Sequence, residues 1–262
     1  MKVACFSVAC VDYYAQIQQS FVGGNSLNQC INFQTFGHTT AMVGAIGNDA
    51  KGEMVHDYFT KRGVDISHLH RVDGVTASNE MYVDDSGERF GIEGAWVDGV
   101  YGEYRLSPED WDFLSGFDIW ATHANAPDYR EALKRKTSQQ FLAVDFLALE
   151  DWDLLETSLG IVDIACFGGT PEMSGILSQL ARKKNALIVL TLGAGGSIAY
   201  QGAQTFMQQA LPCDRVVDTT GCGDAFQAAF TSSYILDRDV PKALLAGAES
   251  GRKTAAHYGA AV

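Results

Sequence analysis

Short runs of apolar and β-branched residues alternate along this chain with longer segments whose apolar positions recur every three to four residues. The first pattern predicts buried β-strands, and the second predicts amphipathic helices. Gly37 and Gly63 follow two of the helical segments, at the position where a glycine commonly ends a helix. The predicted strands are 3–11, 40–46, 119–122, 141–146, 161–167 and 186–192, and the predicted helices are 25–36, 52–62, 128–135 and 173–184.

This alternation predicts an α/β fold. Parallel strands need crossover connections, which helices supply, so we expect a mostly parallel central sheet with helices on both faces. In the helix predicted at 52–62, an apolar stripe is expected to pack on that sheet. Its members are Met54, Val55, Tyr58 and Phe59.

Two polar and aromatic segments interrupt the alternation. The stretch 75–99 contains strand-like runs around Asp84-Asp85-Ser86-Gly87, which is a hairpin turn composition, and 13–22 is similar. We predict a small β-sheet formed by segments of about 13–22 and 75–101, and we call it the lid. Ligands of parallel sheets bind at the carboxyl ends of the strands, so this lid is expected to cover the site; a merely decorative edge hairpin is the alternative.

Composition favours one domain over residues 1–262. Hydrophobic residues make up 47% of the chain, enough for a substantial core, and no Pro- or Ser-rich linker divides it. Six scattered cysteines without metal-ligand spacing are typical of reduced thiols in a cytoplasmic protein. The first apolar run predicts a strand rather than a signal peptide, and no run has the length of a membrane span.

The formal net charge of −13 argues against nucleic acid as the partner. The only basic triplets, 134–136 and 182–184, have the composition of solvated helix ends. An anionic ligand would therefore be bound against an unfavourable overall field. We expect backbone N–H groups and a metal ion to bind such a ligand.

The segment 218–226, DTTGCGDAF, has the features of such an anion site. It follows the apolar pair Val216 and Val217, and residues 225–236 continue as a predicted helix. Free N–H groups at a helix N-terminus bind anions, and glycines let a phosphate approach the backbone. Asp224 is then either an ordinary acidic residue of the first turn or a general base for an alcohol that attacks the phosphate.

A second glycine loop supports nucleotide binding. Residues 189–196, VLTLGAGG, end an apolar strand and turn through Gly193 and Gly195 into another strand-like run. The loop lacks the Lys-Ser/Thr pair of a Walker A motif, which excludes a P-loop NTPase. By itself it is typical of a plain β-turn. Two glycine loops at the ends of parallel strands, one with an acid, are best explained together by nucleotide binding.

These ordered motifs resemble the ribokinase-like carbohydrate kinases, the PfkB family, over nearly the whole chain. The segment 218–224 is similar to the family motif D-T-x-G-A-G-D, with Cys222 in place of a small residue. VLTLG at 189–193, with Gly196, is similar to its nucleotide loop. An amino-terminal motif is matched by Gly23, Gly24, Asn28, Gly37 and Gly47.

The resemblance implies a ribokinase-like fold and a role for each motif residue. Asp224 would be the catalytic base, assisted by the N–H groups of Gly221, Cys222 and Gly223. Sugar hydroxyls would be bound by Asp12 at the end of the first strand, Gly24, Asn25 and Asn28; a turn role for Asp12 and a helix-cap role for Asn25 stay open. Nucleotide would be bound by Thr191, Gly193, Gly195, Gly196, Thr219, Gly221 and Gly223.

The resemblance also implies ATP and Mg²⁺ as cofactors and leaves a requirement for K⁺ open. Glu172 stands where the family has a magnesium motif, but Gly169 replaces its Asn, so contact through water is the expected role. Asp145 is either a second acid near the metal or a helix-capping carboxylate. His257 borders the adenine pocket in one interpretation and lies on a helix surface in the other.

Within the family, the chain is most similar to the fructoselysine 6-kinases. We therefore expect ATP-dependent phosphorylation of a primary hydroxyl of a fructosamine. Glu93 and neighbouring lid acids either attract the substrate amino group or are ordinary solvated acids. Ribokinase, fructokinase or nucleoside kinase activity is the alternative, and a catalytically silent sugar-binding regulator is another. Lids of this family often pair between subunits, so a homodimer is expected. A cytoplasmic location is also expected, with no nucleic acid or membrane partner.

Overall fold

The computed structural model describes residues 1–260, and within them nine strands form one large sheet. Seven neighbouring strands are parallel, and two at one edge are antiparallel, so the predicted mostly parallel sheet is confirmed. In spatial order the strands are β13 (Gln204–Gln208), β12 (Ser197–Gln201), β11 (Leu187–Thr191), β10 (Ile164–Gly168), β9 (Phe141–Asp145), β8 (Ile119–His123), β1 (Lys2–Phe6), β4 (Thr39–Gly47) and β5 (Leu69–Val72).

The described part of the chain also forms nine α-helices, most of which cover the two faces of this sheet. Two separate apolar clusters lie between the helices and the sheet, one on each face. The helices are α1 (Asn25–Thr35), α2 (Ala50–Arg62), α3 (Gly99–Glu103), α4 (Pro108–Ser115), α5 (Tyr129–Arg135), α6 (Trp152–Ser158), α7 (Ser174–Lys184), α8 (Cys222–Asp237) and α9 (Val240–Thr254).

Side-chain alternation along the central strands supplies both clusters. In β1, Val3 and Cys5 pack with α1, α2, α8 and α9, whereas Ala4 and Phe6 pack with α4 to α7. All four side chains are buried. A strand buried on both faces carries an unbroken apolar run, which explains the pattern in the sequence.

A second sheet of four strands contains most of the predicted lid. Its order is β3 (Gln19–Gly23), β2 (Cys10–Tyr14), β6 (Ser78–Val83) and β7 (Arg89–Gly91). β2–β3 and β6–β7 are antiparallel hairpins, and β2 pairs with β6 in parallel. In the turn between β6 and β7, the Asp84 carboxylate accepts hydrogen bonds from Ser86 and from the Glu88 N–H. The predicted hairpin is therefore confirmed.

The predicted strand 3–11 is wrong as one element, because the chain leaves the large sheet after Phe6 and enters the small sheet at Cys10. Val8 and Ala9 stay buried, so the apolar run looks continuous. Between the two strands, the backbone passes closely against Gly24, where an added Cβ would lie 2.7 Å from the Val8 carbonyl oxygen. Residues 7–9, which pass Gly24, pair with neither sheet.

Two smaller expectations also differ from the structure. Met54 is 39% exposed, because α2 buries only a narrow stripe that contains Val55 and Phe59. Val216 and Val217 do not form a strand; the Val217 N–H donates to the Ala255 carbonyl at the end of α9 instead of to a sheet. The loop 218–224 therefore does not follow a parallel strand, as we had expected, whereas the loop at Gly193 does.

Within residues 1–260, no helix combines the length and the apolar composition that a membrane crossing would require.

Candidate active site

A cavity of about 580 Å³ lies between the carboxyl ends of the parallel strands and the lid. The last residues of β8, β9, β10 and β11 all line it, namely His123, Asp145, Gly168 and Thr191. The opposite wall contains Arg89 and other residues of the small sheet. The predicted position of the site under the lid is thus where the structure has a cavity.

The loop 218–224 borders this cavity at the N-terminus of α8. Gly221 is the N-cap residue with a left-handed φ of 76°, and within the described residues no side chain caps the helix. The Cys222 N–H already donates to the Thr219 carbonyl oxygen at 3.2 Å. The N–H groups of Gly223 and Asp224 belong to the first turn and have no intrahelical acceptor. Together with the positive end of the helix dipole, they form an anion site.

Buried hydrogen bonds hold the Asp218 carboxylate at the base of this loop. It accepts from the Thr220 N–H and hydroxyl, from the Tyr14 hydroxyl and from the Gly259 N–H, at 2.6–2.9 Å. Asp218 is fully buried and does not line the cavity. Its contacts therefore support a role in shaping the loop.

Two amides of α1 orient the Asp224 carboxylate. Asn25 Nδ2 donates to one oxygen and Asn28 Nδ2 to the other, both at 2.7 Å. The same Asn25 nitrogen also donates to Asp145 Oδ2 at 2.8 Å, so one amide joins two carboxylates. Asn28 Oδ1 is buried and has no hydrogen-bond partner among the described residues, which leaves it free to accept from a ligand hydroxyl.

The environment of Asp224 favours its protonated form. Burial and then the charge of Asp145 raise the pKa of Asp224 to about 7, although Asn28, Arg89 and Asn25 oppose the shift. Burial also raises the pKa of Asp145. A carboxylate with a pKa near neutrality is well matched to accept a proton from an alcohol during catalysis.

Asp12 lines the cavity but lies within β2 of the small sheet, so its predicted place at the end of the first strand is wrong. Burial raises the pKa of Asp12 to about 6, against the effects of the Cys10 thiol and Arg89. Asp12 pairs with Phe21 across the hairpin, and its carboxylate lies against Gly23, where an added Cβ would collide with it. Asp12 is therefore held at the lid wall of the cavity.

The predicted nucleotide and metal residues are only partly brought together. Thr191, Thr219, Gly221 and Gly223 line the cavity, whereas Gly193, Gly195 and Gly196 form a separate turn after β11. Gly24 also lines the cavity.

Glu172 is exposed in a short 3-10 helix and does not line the cavity. Neither of the two groups of three metal-ligating side chains found within residues 1–260 lies there. The cavity thus offers carboxylate oxygens but no protein cage, which suits an ion that keeps several water ligands, as Mg²⁺ does.

Several cavity residues were missed from the sequence. Arg89 lines the cavity from β7, and its positive charge acts to lower the pKa of Asp12, Asp145 and Asp224. His123 contacts Ser7 Oγ and Tyr101 Oη, and burial lowers its pKa to about 4, so it is neutral. The position of His123 at the end of a parallel strand could have identified it from the sequence. The lid prediction included the segment of Arg89 but did not show that its side chain lines the cavity.

The pH profile should show the ionisation of Asp224. The base must be deprotonated, and its pKa is about 7, so kcat/KM should rise with pH and level off above about pH 8. Asp12→Asn should weaken sugar binding but keep this acid limb. Steady-state rates with saturating Mg²⁺ and nucleotide would measure both. A flat profile between about pH 5.5 and 8 would contradict the role of Asp224.

Comparison with known proteins identifies relatives that match nearly the whole chain. The family model "pfkB family carbohydrate kinase" matches residues 6–262. Fructoselysine 6-kinase of Escherichia coli (strain K12) is 31% identical over 257 residues, which cover 96% of each chain. Fructosamine kinase FrlD of Bacillus subtilis (strain 168) is 25% identical over 266 residues, covering 99% of this chain and 93% of the relative.

Solved structures show the same architecture. Adenosine kinase from Sinorhizobium meliloti superposes with a TM-score of 0.84 at 21% identity, over 100% of this chain and 95% of the other. Arabidopsis thaliana ribokinase complexed with ribose and ATP has a TM-score of 0.81 at 21% identity, over 98% and 93%. The expected ribokinase-like α/β fold is therefore confirmed.

Proposed function

Because this chain belongs to the pfkB family of carbohydrate kinases, we propose that it transfers the γ-phosphate of ATP to the 6-hydroxyl of a fructosamine such as fructoselysine. The observation that carries the chemistry is the carboxylate of Asp224, held by two amides beside free N–H groups of α8. A base and an anion site share one cavity there. Phosphoryl transfer to an alcohol needs both.

Each part of the cavity has a role in this proposal. Asp224 accepts the proton of the attacking hydroxyl, and Asn25 and Asn28 keep its carboxylate oriented. The N–H groups of Gly223 and Asp224 bind oxygens of the transferred phosphoryl group. Arg89 adds a positive charge from the lid, and Asn28 Oδ1 accepts a sugar hydroxyl.

ATP supplies the phosphoryl group, and Mg²⁺ would neutralise part of its charge. Asp145 is the carboxylate suited to orient magnesium-bound water, because it lines the cavity and is held by Asn25 and the Leu147 N–H, while each of its oxygens keeps a lone pair for water. The exposed position of Glu172 gives it no support as a ligand. A requirement for K⁺ stays a prediction.

The charge of the cavity supports a cationic substrate. Asp12, Asp98, Asp145 and Asp224 line it, and Arg89 is the one lysine or arginine among the described lining residues. This balance suits a sugar that carries an amino group better than a sugar phosphate. Asp98 replaces Glu93 as the lid acid of interest: Trp96 Nε1 donates to Asp98 Oδ1 at 2.6 Å, which leaves the other oxygen for a substrate ammonium.

Substrate selectivity should follow from these contacts. Fructoselysine should exceed free fructose in kcat/KM by at least about tenfold, or roughly 1.4 kcal/mol of transition-state binding. Asp98→Asn should reduce this preference and leave the rate with fructose nearly unchanged. ADP production with fructosamines, free sugars and nucleosides would measure it.

The control is Glu93→Gln, which removes a lid carboxylate that does not line the cavity and should keep the preference. Preference for ribose or adenosine would contradict the proposed fructosamine substrate but not the proposed kinase activity. Absence of ADP production with every acceptor, from protein whose sugar binding is demonstrated, would favour the silent regulator.

A homodimer through the lid and a cytoplasmic location also stay predictions. The small sheet exposes apolar side chains that support the first of them: Tyr82 and Phe90 are stacked and each is nearly half exposed. Large exposed apolar patches are typical of interaction surfaces.

A further inference from the structure

A second cluster of polar side chains lies outside the cavity described above. It consists of His68, His70 and Asp110, whose ligand atoms all lie within 4.8 Å of one another. None of the three lines the cavity. The kinase chemistry leaves this cluster without a role.

The two imidazoles are brought together by strand geometry. His68 directly precedes β5, and His70 is its second residue. Side chains two positions apart on a strand lie on the same face. His68 Nδ1 and His70 Nε2 both lie 2.7 Å from the same oxygen, Asp110 Oδ1.

Asp110 is held from its other side. It is the third residue of α4 and completes a capping box with Ser107, whose N–H donates to Asp110 Oδ2 at 2.9 Å. Tyr104 Oη donates to the same oxygen at 3.1 Å. These bonds leave Oδ1 facing the imidazoles.

Aromatic rings fix the planes of both imidazoles. His68 stacks on Phe113 of α4, with the ring centroids 4.0 Å apart, and His70 stacks on Tyr104 at 5.5 Å. Tyr104 therefore contacts one imidazole and also the shared carboxylate. Metal-ligating carboxylates are typically oriented by outer-shell hydrogen bonds such as the one that Tyr104 makes to Asp110.

We propose that His68, His70 and Asp110 bind a divalent transition-metal ion of the Zn²⁺ type, at a site separate from that of the Mg²⁺ used in phosphoryl transfer. Two imidazoles and one carboxylate are a donor set that suits Zn²⁺ and that Mg²⁺ disfavours. A fourth position would hold water. Each imidazole would bind the ion in the neutral tautomer whose proton lies on its other nitrogen.

The bond lengths require only a small side-chain movement. Ligand atoms about 2.0–2.1 Å from a tetrahedral Zn²⁺ lie roughly 3.3 Å apart, compared with the 2.7 Å between each imidazole nitrogen and Asp110 Oδ1. Both imidazoles are partly exposed, with side-chain exposures of 23% and 40%, so an ion can enter from solvent and the rings can separate.

The ion would join two elements that are distant in sequence, β5 and α4, and Tyr104 contacts the ligands from the end of α3. β5 is an edge strand of the large sheet, α4 packs on one face of that sheet, and Tyr104 ends the segment that leaves the lid through α3. Metal binding should therefore stabilise the folded state and the connection at the base of the lid.

The experiment measures Zn²⁺ and Co²⁺ binding to the EDTA-stripped, dialysed full chain in buffer that contains excess Mg²⁺. We expect one equivalent of Zn²⁺, a rise in Tm on binding, and d–d absorption of bound Co²⁺ typical of low coordination number. His70→Gln and His68→Gln each remove a ligand and should weaken affinity by at least about 100-fold. Tyr104→Phe removes an outer-shell contact and should weaken it about 10-fold.

The matched control is His56→Gln, because His56 lies in the other group of metal-ligating side chains, with Glu53 and Asp57 on the exposed side of α2. This variant should bind Zn²⁺ like the parent. Failure of the parent to bind one equivalent at micromolar Zn²⁺, or loss of binding in His56→Gln but not in His70→Gln, would overturn the proposal. If His68→Gln does not fold, the zinc affinities of His70→Gln, at the more exposed imidazole, and of Tyr104→Phe still test the proposal.

Discussion

Asp224→Asn should lower kcat roughly 10²–10⁴-fold, the range expected for the loss of a general base. The amide keeps the size of the side chain but cannot take the proton of the attacking hydroxyl. Affinities for ATP and sugar should change far less, because neither depends on proton removal. Single-turnover rates and equilibrium binding of both substrates would separate the two effects.

The matched control is Asp218→Asn, a change of the same chemistry six residues earlier. Asp218 accepts four buried hydrogen bonds and lies outside the cavity lining, so this variant should lose stability, measured as Tm, and lose less kcat. Asp224→Asn should keep or raise Tm at pH 8, because burial disfavours the charged carboxylate there. Turnover within a few-fold of the parent by folded Asp224→Asn would refute the assignment of the base.

Arg89→Met should lower kcat about 10²–10³-fold, similar to the loss of one transition-state donor. Arg89 is the one cationic side chain of lysine or arginine type among the described residues that line the cavity. Its backbone N–H donates to Thr219 Oγ1 at 3.1 Å, so β7 and the anion loop are in direct contact. Since Arg89 also opposes the raised pKa of Asp224, the acid limb of the pH profile should move upward in this variant.

Arg89→Lys tests whether charge alone is sufficient. It keeps the positive charge but loses the planar, bidentate donor set, so we expect an intermediate loss of about tenfold. The measurements are kcat and the pH profile of the parent and both variants. Equal kcat in the parent and Arg89→Met would exclude Arg89 from the transfer step and leave the N–H groups of α8 as the anion site.

The sequence determined those features that depend on neighbours along the chain. Alternating apolar runs predicted the parallel sheet, the turn at Asp84 predicted the lid hairpin, and the glycines at 221 and 223 predicted a helix N-terminus at a ligand site. These patterns have periods of a few residues, and local backbone geometry translates them directly into strands, turns and helices.

Roles that depend on contacts between distant segments could not be predicted in this way. The bond between Asn25 and Asp224 joins residues 199 positions apart, and it makes an expected sugar ligand a partner of the proposed base. Arg89 carries no local signal for the cavity and His123 only its place at the end of a strand, whereas Glu172 occupies a motif position and yet is exposed.

The sequence by itself thus determined the α/β fold, the lid and the loop that carries Asp224, because each depends on residues that are neighbours along the chain. Only the tertiary structure decided which side chains meet: two amides on one carboxylate, an arginine from the lid, and two histidines on Asp110. The physical reason is that burial, charge and hydrogen bonding act through space. The pKa of Asp224 is raised by its buried surroundings and by Asp145, which lies 79 positions earlier in the sequence.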